Sequence, residues 1–116
     1  MDDRVTTVVK LTYRAQGEKF FGPGVAELLE KVEQEGSVKE ACRSMGLSYS
    51  KGRAILRRAE EWIGFPLLCI KHGGTGGGAS TLTQEGKETL EAYRRLEDEV
   101  SRFAEKRFRE SVRKGK

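Results

Sequence analysis

A chain of 116 residues, 36% hydrophobic and 34% charged, has room for one modest core but none for a separate sensor domain. No run approaches a membrane span, the first residues lack the apolar core of a signal peptide, and Cys42 and Cys69 are too few for a disulfide framework. The expected setting is therefore a reducing cytoplasm, and the net charge of +4 is a weak pointer to a polyanionic partner.

In chain order, Val5, Thr7, Val9, Leu11 and Tyr13 alternate with Thr6, Val8, Lys10, Thr12 and Arg14. This period-two pattern predicts a strand. Ala15-Gln16-Gly17-Glu18 supplies a turn and Lys19-Phe20-Phe21 a short return, giving an N-terminal β-hairpin over 5–21. Gly22-Pro23-Gly24 breaks the chain, with Pro23 suited to a helix start.

From Val25 the period becomes helical. Val25, Leu28, Leu29 and Val32 form one stripe, and Gly36 ends the helix. Ser37-Val38-Lys39-Glu40 reads as a capping box, with Glu40 reaching back to Ser37. The short second helix carries Ala41 and Cys42, small residues that suit close approach of another helix, and Gly46 closes it. Ser48 caps a third helix over about Tyr49–Ile63, with Gly52, Ile55, Ala59 and Trp62 on one face. Ser50, Lys51, Arg53, Ala54, Arg57 and Arg58 fall largely on the others. Apolar contacts behind and Ser, Lys and Arg in front suit a major-groove reader, and an ordinary amphipathic surface helix has the same pattern.

Two short apolar runs flank Gly73-Gly74-Thr75-Gly76-Gly77-Gly78, which predicts a hairpin with a glycine tip over 66–82. A hairpin directly after a helix-turn-helix over 37–63 is the layout of a winged DNA-binding domain. The charge distribution agrees: residues 37–80 carry 7 Lys/Arg against 3 Asp/Glu, whereas residues 1–36 carry 5 against 7. Thr83 caps a last helix, in which Leu90, Tyr93, Leu96, Val100 and Phe103 form a narrow a/d-like stripe. Such a stripe suits pairing with a second copy, and the alternative is a helix folded back on the N-terminal sheet. The fold class is thus mainly α with small β elements. A winged helix-turn-helix occupies 1–83 and a long dimerisation helix 84–116.

Enzymatic and cofactor chemistry finds no support. The glycine loop lacks the βαβ setting of a dinucleotide site and the Gly-Lys-Ser/Thr of a P-loop. Cys69 and His72 stand three apart without two further metal ligands. No nucleophile, base and orienting residue assemble, so no cofactor, metal or catalytic site is expected. His72 suits a cap at the wing base or a phosphate contact.

The motifs resemble the DNA-binding domain of the molybdate-responsive ModE regulators, related to the winged helix-turn-helix of LysR-type regulators. The resemblance is carried by Phe21-Gly22-Pro23-Gly24, Gly36-Ser37-Val38 and Met45-Gly46-Leu47-Ser48-Tyr49-Ser50-Lys51. It continues in Ala59-Glu60, Gly64-Phe65-Pro66-Leu67-Leu68, Gly73–Ala79, Leu82-Thr83 and Gly86. Gly52-Arg53 stand where that family usually has Ala-Trp. The resemblance implies a homodimeric transcription factor that binds double-stranded DNA and pairs partly through its last helix and N-terminal strand region. The expected DNA contacts are Ser37, Lys39, Ser48, Tyr49, Ser50, Lys51, Arg53, Arg57, Lys71, His72, Thr75 and Gly76. The expected dimer contacts are Leu90, Tyr93, Leu96, Val100 and Phe103. Only Lys114-Gly115-Lys116 follow the last helix, so the oxyanion-binding domains of that family are not expected here, and any regulation would come from protein abundance or from a partner protein that supplies effector sensing. The competing function is a winged-helix interaction module docking such a partner.

Overall fold

The computed structural model describes residues 3–71 and 79–112. Strands β1 (Tyr13–Ala15) and β2 (Glu18–Phe21) pair antiparallel across Gln16-Gly17, whose φ values of 53° and 81° are those of a two-residue hairpin turn. Three helices follow: α1 (Pro23–Glu35), α2 (Val38–Ser44) and α3 (Tyr49–Ile63). Strands β3 (Leu68–Ile70) and β4 (Ser80–Leu82) form a second antiparallel hairpin, and α4 (Gln84–Ser111) closes the chain. This is a winged helix-turn-helix with a long appended helix, as the residue pattern predicts.

The core collects one face of each element: Val25, Ala26, Leu28, Leu29 and Val32 of α1, Val38, Ala41 and Cys42 of α2, and Leu56 and Ala59 of α3. These spacings are helical, so each helix buries one stripe and leaves its charges in water. Leu67, Leu68 and Leu82 bring the second hairpin into the same core. The buried α3 residues are Gly52, Leu56 and Ala59, while Ile55 is half-buried and Trp62 is exposed and meets the Phe20 ring. The face of α3 is therefore rotated from the expected one: Gly52 lies against Cys42 of α2, and Leu56, not Trp62, is buried.

The N-terminal hairpin is shorter than the alternation over 5–14 predicts. Residues 5–12 take no ladder partner and run against α4 instead. The Thr7 N–H and hydroxyl donate to Glu105 at 2.9 and 3.0 Å, Arg109 donates to the Val5 carbonyl, and the Tyr93 hydroxyl donates to the Leu11 carbonyl at 2.7 Å. Residue numbers rise on the segment as they fall on α4, so the two run antiparallel. Alternation reports an extended backbone, not what lies beside it, and here the neighbour is a helix.

The stripe of α4 divides. Leu90 and Tyr93 are buried in the chain's own core. Tyr93 packs on Tyr13 and Phe21 at ring-centre separations of 5.4 and 5.1 Å, and burial pushes its hydroxyl pKa up to about 12. Tyr93, expected to face a second copy, packs instead on these N-terminal aromatics, and Leu90, expected there too, is buried within its own chain. Leu96 and Phe103 are exposed, at 40% and 63%, and Val100 is half-buried. Arg94 clamps α4 to α1 with paired hydrogen bonds of 2.9 and 2.8 Å to Glu30, and this contact holds the Glu30 carboxyl below its usual range.

Candidate nucleic-acid interface

The helix-turn-helix is built by two serine caps and one tight turn. Ser37 accepts a hydrogen bond from the Glu40 N–H at 3.2 Å, and Ser48 accepts one from the Lys51 N–H at 3.1 Å. Half of the expected capping box forms: the Glu40 carboxylate turns to Arg43, at 3.3 Å, rather than back to Ser37. The turn closes as the Gly46 N–H donates to the Arg43 carbonyl and the Leu47 N–H to the Cys42 carbonyl. Ser37 and Ser48, expected on DNA, thus spend one hydroxyl lone pair on the backbone.

Behind this surface, α2 and α3 meet at Cys42 and Gly52. A β-carbon at Gly52 would collide with the Cys42 sulfur. Burial pushes the Cys42 thiol pKa up, opposed by the nearby positive charge of Arg53. The thiol stays neutral at ordinary pH and acts as a packing group. Where the resemblance places Ala, a β-carbon would force the Cys42 sulfur to move.

In front, Ser48, Tyr49, Ser50 and Lys51 are exposed and contiguous at the start of α3, with Tyr49 at 51%. Arg57 is exposed further along α3, Arg53 is half-buried, and Lys39 is exposed on α2. Arg43 stands exposed in the last turn of α2, paired with Glu40.

The second hairpin is held to both sides of this unit. Leu68 and Leu82 pair inward, while Cys69 and Thr81 pair outward. Glu60 of α3 accepts hydrogen bonds from the Leu67 and Leu68 N–H groups at 2.9 and 3.4 Å. The Ser80 N–H donates to the Gly36 carbonyl at the end of α1. Thr83 caps α4 through the Gly86 N–H and donates its hydroxyl to the Pro66 carbonyl. Gly86 rests on the Leu67 backbone so closely that a β-carbon there would collide with the Leu67 carbonyl oxygen. Lys71 is exposed and extends the ladder through its N–H to the Ala79 carbonyl. His72, Thr75 and Gly76 lie outside the described residues.

The family model for bacterial regulatory helix-turn-helix proteins of the lysR family matches residues 25–87, which spans α1 through the first turn of α4. The chain belongs to that family. Its similarity to individual regulators runs further. It is 31% identical to the transcriptional regulator ModE of Haemophilus influenzae over 78% of this chain and 36% of that protein. It is 30% identical to the molybdenum transport protein ModE of Herbaspirillum seropedicae over 80% of this chain and 32% of that protein. The ModE protein of Azotobacter vinelandii is 35% identical over 62% of this chain and 27% of its own length. The chain spans about a third of the length of these relatives. The matches agree with the resemblance drawn from the motifs. The lysR-family chain carries the DNA-binding module of transcriptional regulators, a class of binding proteins rather than an enzyme family. Among the described residues no helix is long and apolar enough to cross a membrane.

Proposed function

We propose that the chain reads double-stranded DNA sequence-specifically as a homodimer, with the start of α3 in the major groove and the β3–β4 wing on the flanking backbone. The carrying observation is the division of α3. Gly52, Leu56 and Ala59 face the core, while Tyr49, Ser50 and Lys51 are exposed beside the cap. The first turn of a recognition helix meets base edges, and there Ser and Lys donate to acceptors while Tyr adds apolar contact. Lys39, Arg57 and Lys71, with Ser37 and Ser48, suit phosphates. His72, Thr75 and Gly76 belong to the wing contacts of the same reading.

The homodimer would use what α4 leaves uncovered. Leu96, Val100 and Phe103 continue the stripe beyond the buried Tyr93, and Val8 of the N-terminal segment is 92% exposed. Sensing of any effector belongs to a further protein or domain in this reading. The competing reading, an interaction module for such a partner, draws on the same exposed apolar residues. Selection of bound sequences from a random duplex pool tests the proposal. A two-fold symmetric motif, with affinity falling steeply as salt rises, is the expected outcome. Failure to enrich any sequence would overturn it in favour of the interaction module.

A further inference from the structure

Next to the proposed DNA-reading surface, with Leu47 beside Ser48 and Arg58 beside Arg57, lies a partly enclosed cavity of about 330 Å³, at the small end of ligand pockets. Its walls come from four separate pieces of the fold: β2, the start of α1, the turn after α2, and the middle of α3. Phe20, Met45, Leu47 and Ile55 give it an apolar interior, and its charged lining residues are both cations, Lys19 and Arg58. Arg58 also pairs with Glu18, whose side chain is 72% exposed and free to yield to another carboxylate. Lys19 has no ion pair among the described residues, and its stem lies against Gly22. Gly24 also lines it, and a β-carbon there would meet nothing within 4 Å.

We propose that this cavity binds a small amphipathic carboxylate, with its apolar end among Phe20, Met45, Leu47 and Ile55 and its carboxylate between Lys19 and Arg58. The chemistry selects this class. An apolar interior gains free energy by excluding water, which a hydrated phosphate or sugar would lose on entry. A purely apolar ligand would leave the two cations unused, whereas a carboxylate accepts from both. The volume suits a single ring or short alkyl chain. Because the walls belong to separate elements, such a ligand braces α3 against the N-terminal hairpin. By linkage it shifts DNA affinity as DNA shifts ligand affinity. That consequence rests on the function proposed above, but the binding itself does not.

The test uses the full chain, labelled with nitrogen-15 and free of DNA, titrated with phenylbutyrate and with the neutral isostere phenylbutanol. Saturable amide shifts at Phe20, Gly24, Leu47 and Ile55 are expected, with the alcohol binding about tenfold more weakly. Lys19→Gln is expected to weaken phenylbutyrate about tenfold and leave phenylbutanol unchanged, and the alcohol thereby reports that the cavity is intact. Equal affinity for acid and alcohol would overturn the proposal, as would shifts confined to α4 or the second hairpin. Tighter competitive binding by a hydrophobic peptide ending in Glu would overturn it in favour of a docked protein segment. Since no DNA is present, failure here leaves the DNA-reading proposal standing, and failure of the duplex selection leaves the cavity standing.

Discussion

Gly52 of α3 and Cys42 of α2 approach so closely that a β-carbon on residue 52 would collide with the sulfur. The close approach sets how deeply α3 nests against α2, and so how the exposed first turn of α3 is presented. Helix propensity favours Ala over Gly by about 1 kcal/mol, so an open site would be stabilised by Gly52→Ala. Overpacking a core costs about 1–3 kcal/mol. We expect Gly52→Ala to be destabilising, and Gly52→Ala with Cys42→Ala to recover most of the loss. Urea unfolding of the two single variants and the double checks this. A stabilised Gly52→Ala single variant would show that the helices sit further apart.

Glu105 holds the N-terminal segment onto α4. Hydrogen bonds from the Thr7 N–H and hydroxyl, with Arg109 nearby, hold its carboxyl below the ordinary value of 4.5. A depressed folded-state value means the contact stabilises above the unfolded pKa and is lost as pH falls through the folded one. Docking of residues 5–11 should therefore be complete at neutral pH and loosen below 4.5. Hydrogen exchange of the Thr7 amide reads this directly: its protection, compared with α1 amides, should fall on acidification. Glu105→Gln should lower that protection at neutral pH and flatten the pH dependence.

The uncovered half of the α4 stripe makes an assembly prediction. Leu96→Glu with Phe103→Glu alters two exposed side chains, so the monomer fold should survive. Like charges across a two-fold seam should separate the proposed dimer. Sedimentation at tens of micromolar is expected to give dimers for the natural chain and folded monomers for the variant. A monomeric natural chain would remove the dimer from the proposal.

Base reading and phosphate contact separate by their dependence on sequence and salt. Arg53 and Lys51 stand early in α3, and Lys39 lies on α2. Arg53→Ala should cost about 1–3 kcal/mol on the selected operator and relax preference at one base position. Lys39→Ala should weaken all duplexes alike and lower the salt slope by about one. If Arg53→Ala also weakens every sequence equally, Arg53 contacts a phosphate.

Much of the architecture could be read from residue order. Ser37 and Ser48 mark two helix starts, and the Leu68–Leu82 pairing follows from apolar runs around glycines. What escaped reading depends on partners distant in sequence. Alternation over Val5–Arg14 signals an extended chain but not that Glu105 and Arg109 would receive it. The spacing of Leu90 and Tyr93 is the same whether a second copy or the chain's own core covers them. The cavity between Lys19 and Arg58 joins residues on three elements and one turn and leaves no local pattern. Gly52 was legible as a small residue, but its reason, the Cys42 sulfur, lies ten positions away.

The serine at the start of α3 anchors the helix with its own hydroxyl, and the helix is seated by Gly52, Leu56 and Ala59. None of these duties falls on the side chains of Tyr49, Ser50 or Lys51, which are exposed. Exchanging those three residues therefore changes what the helix presents without disturbing what holds it. If the proposed reading holds, a lineage carrying this scaffold could exchange one target sequence for another through single substitutions that its stability barely registers.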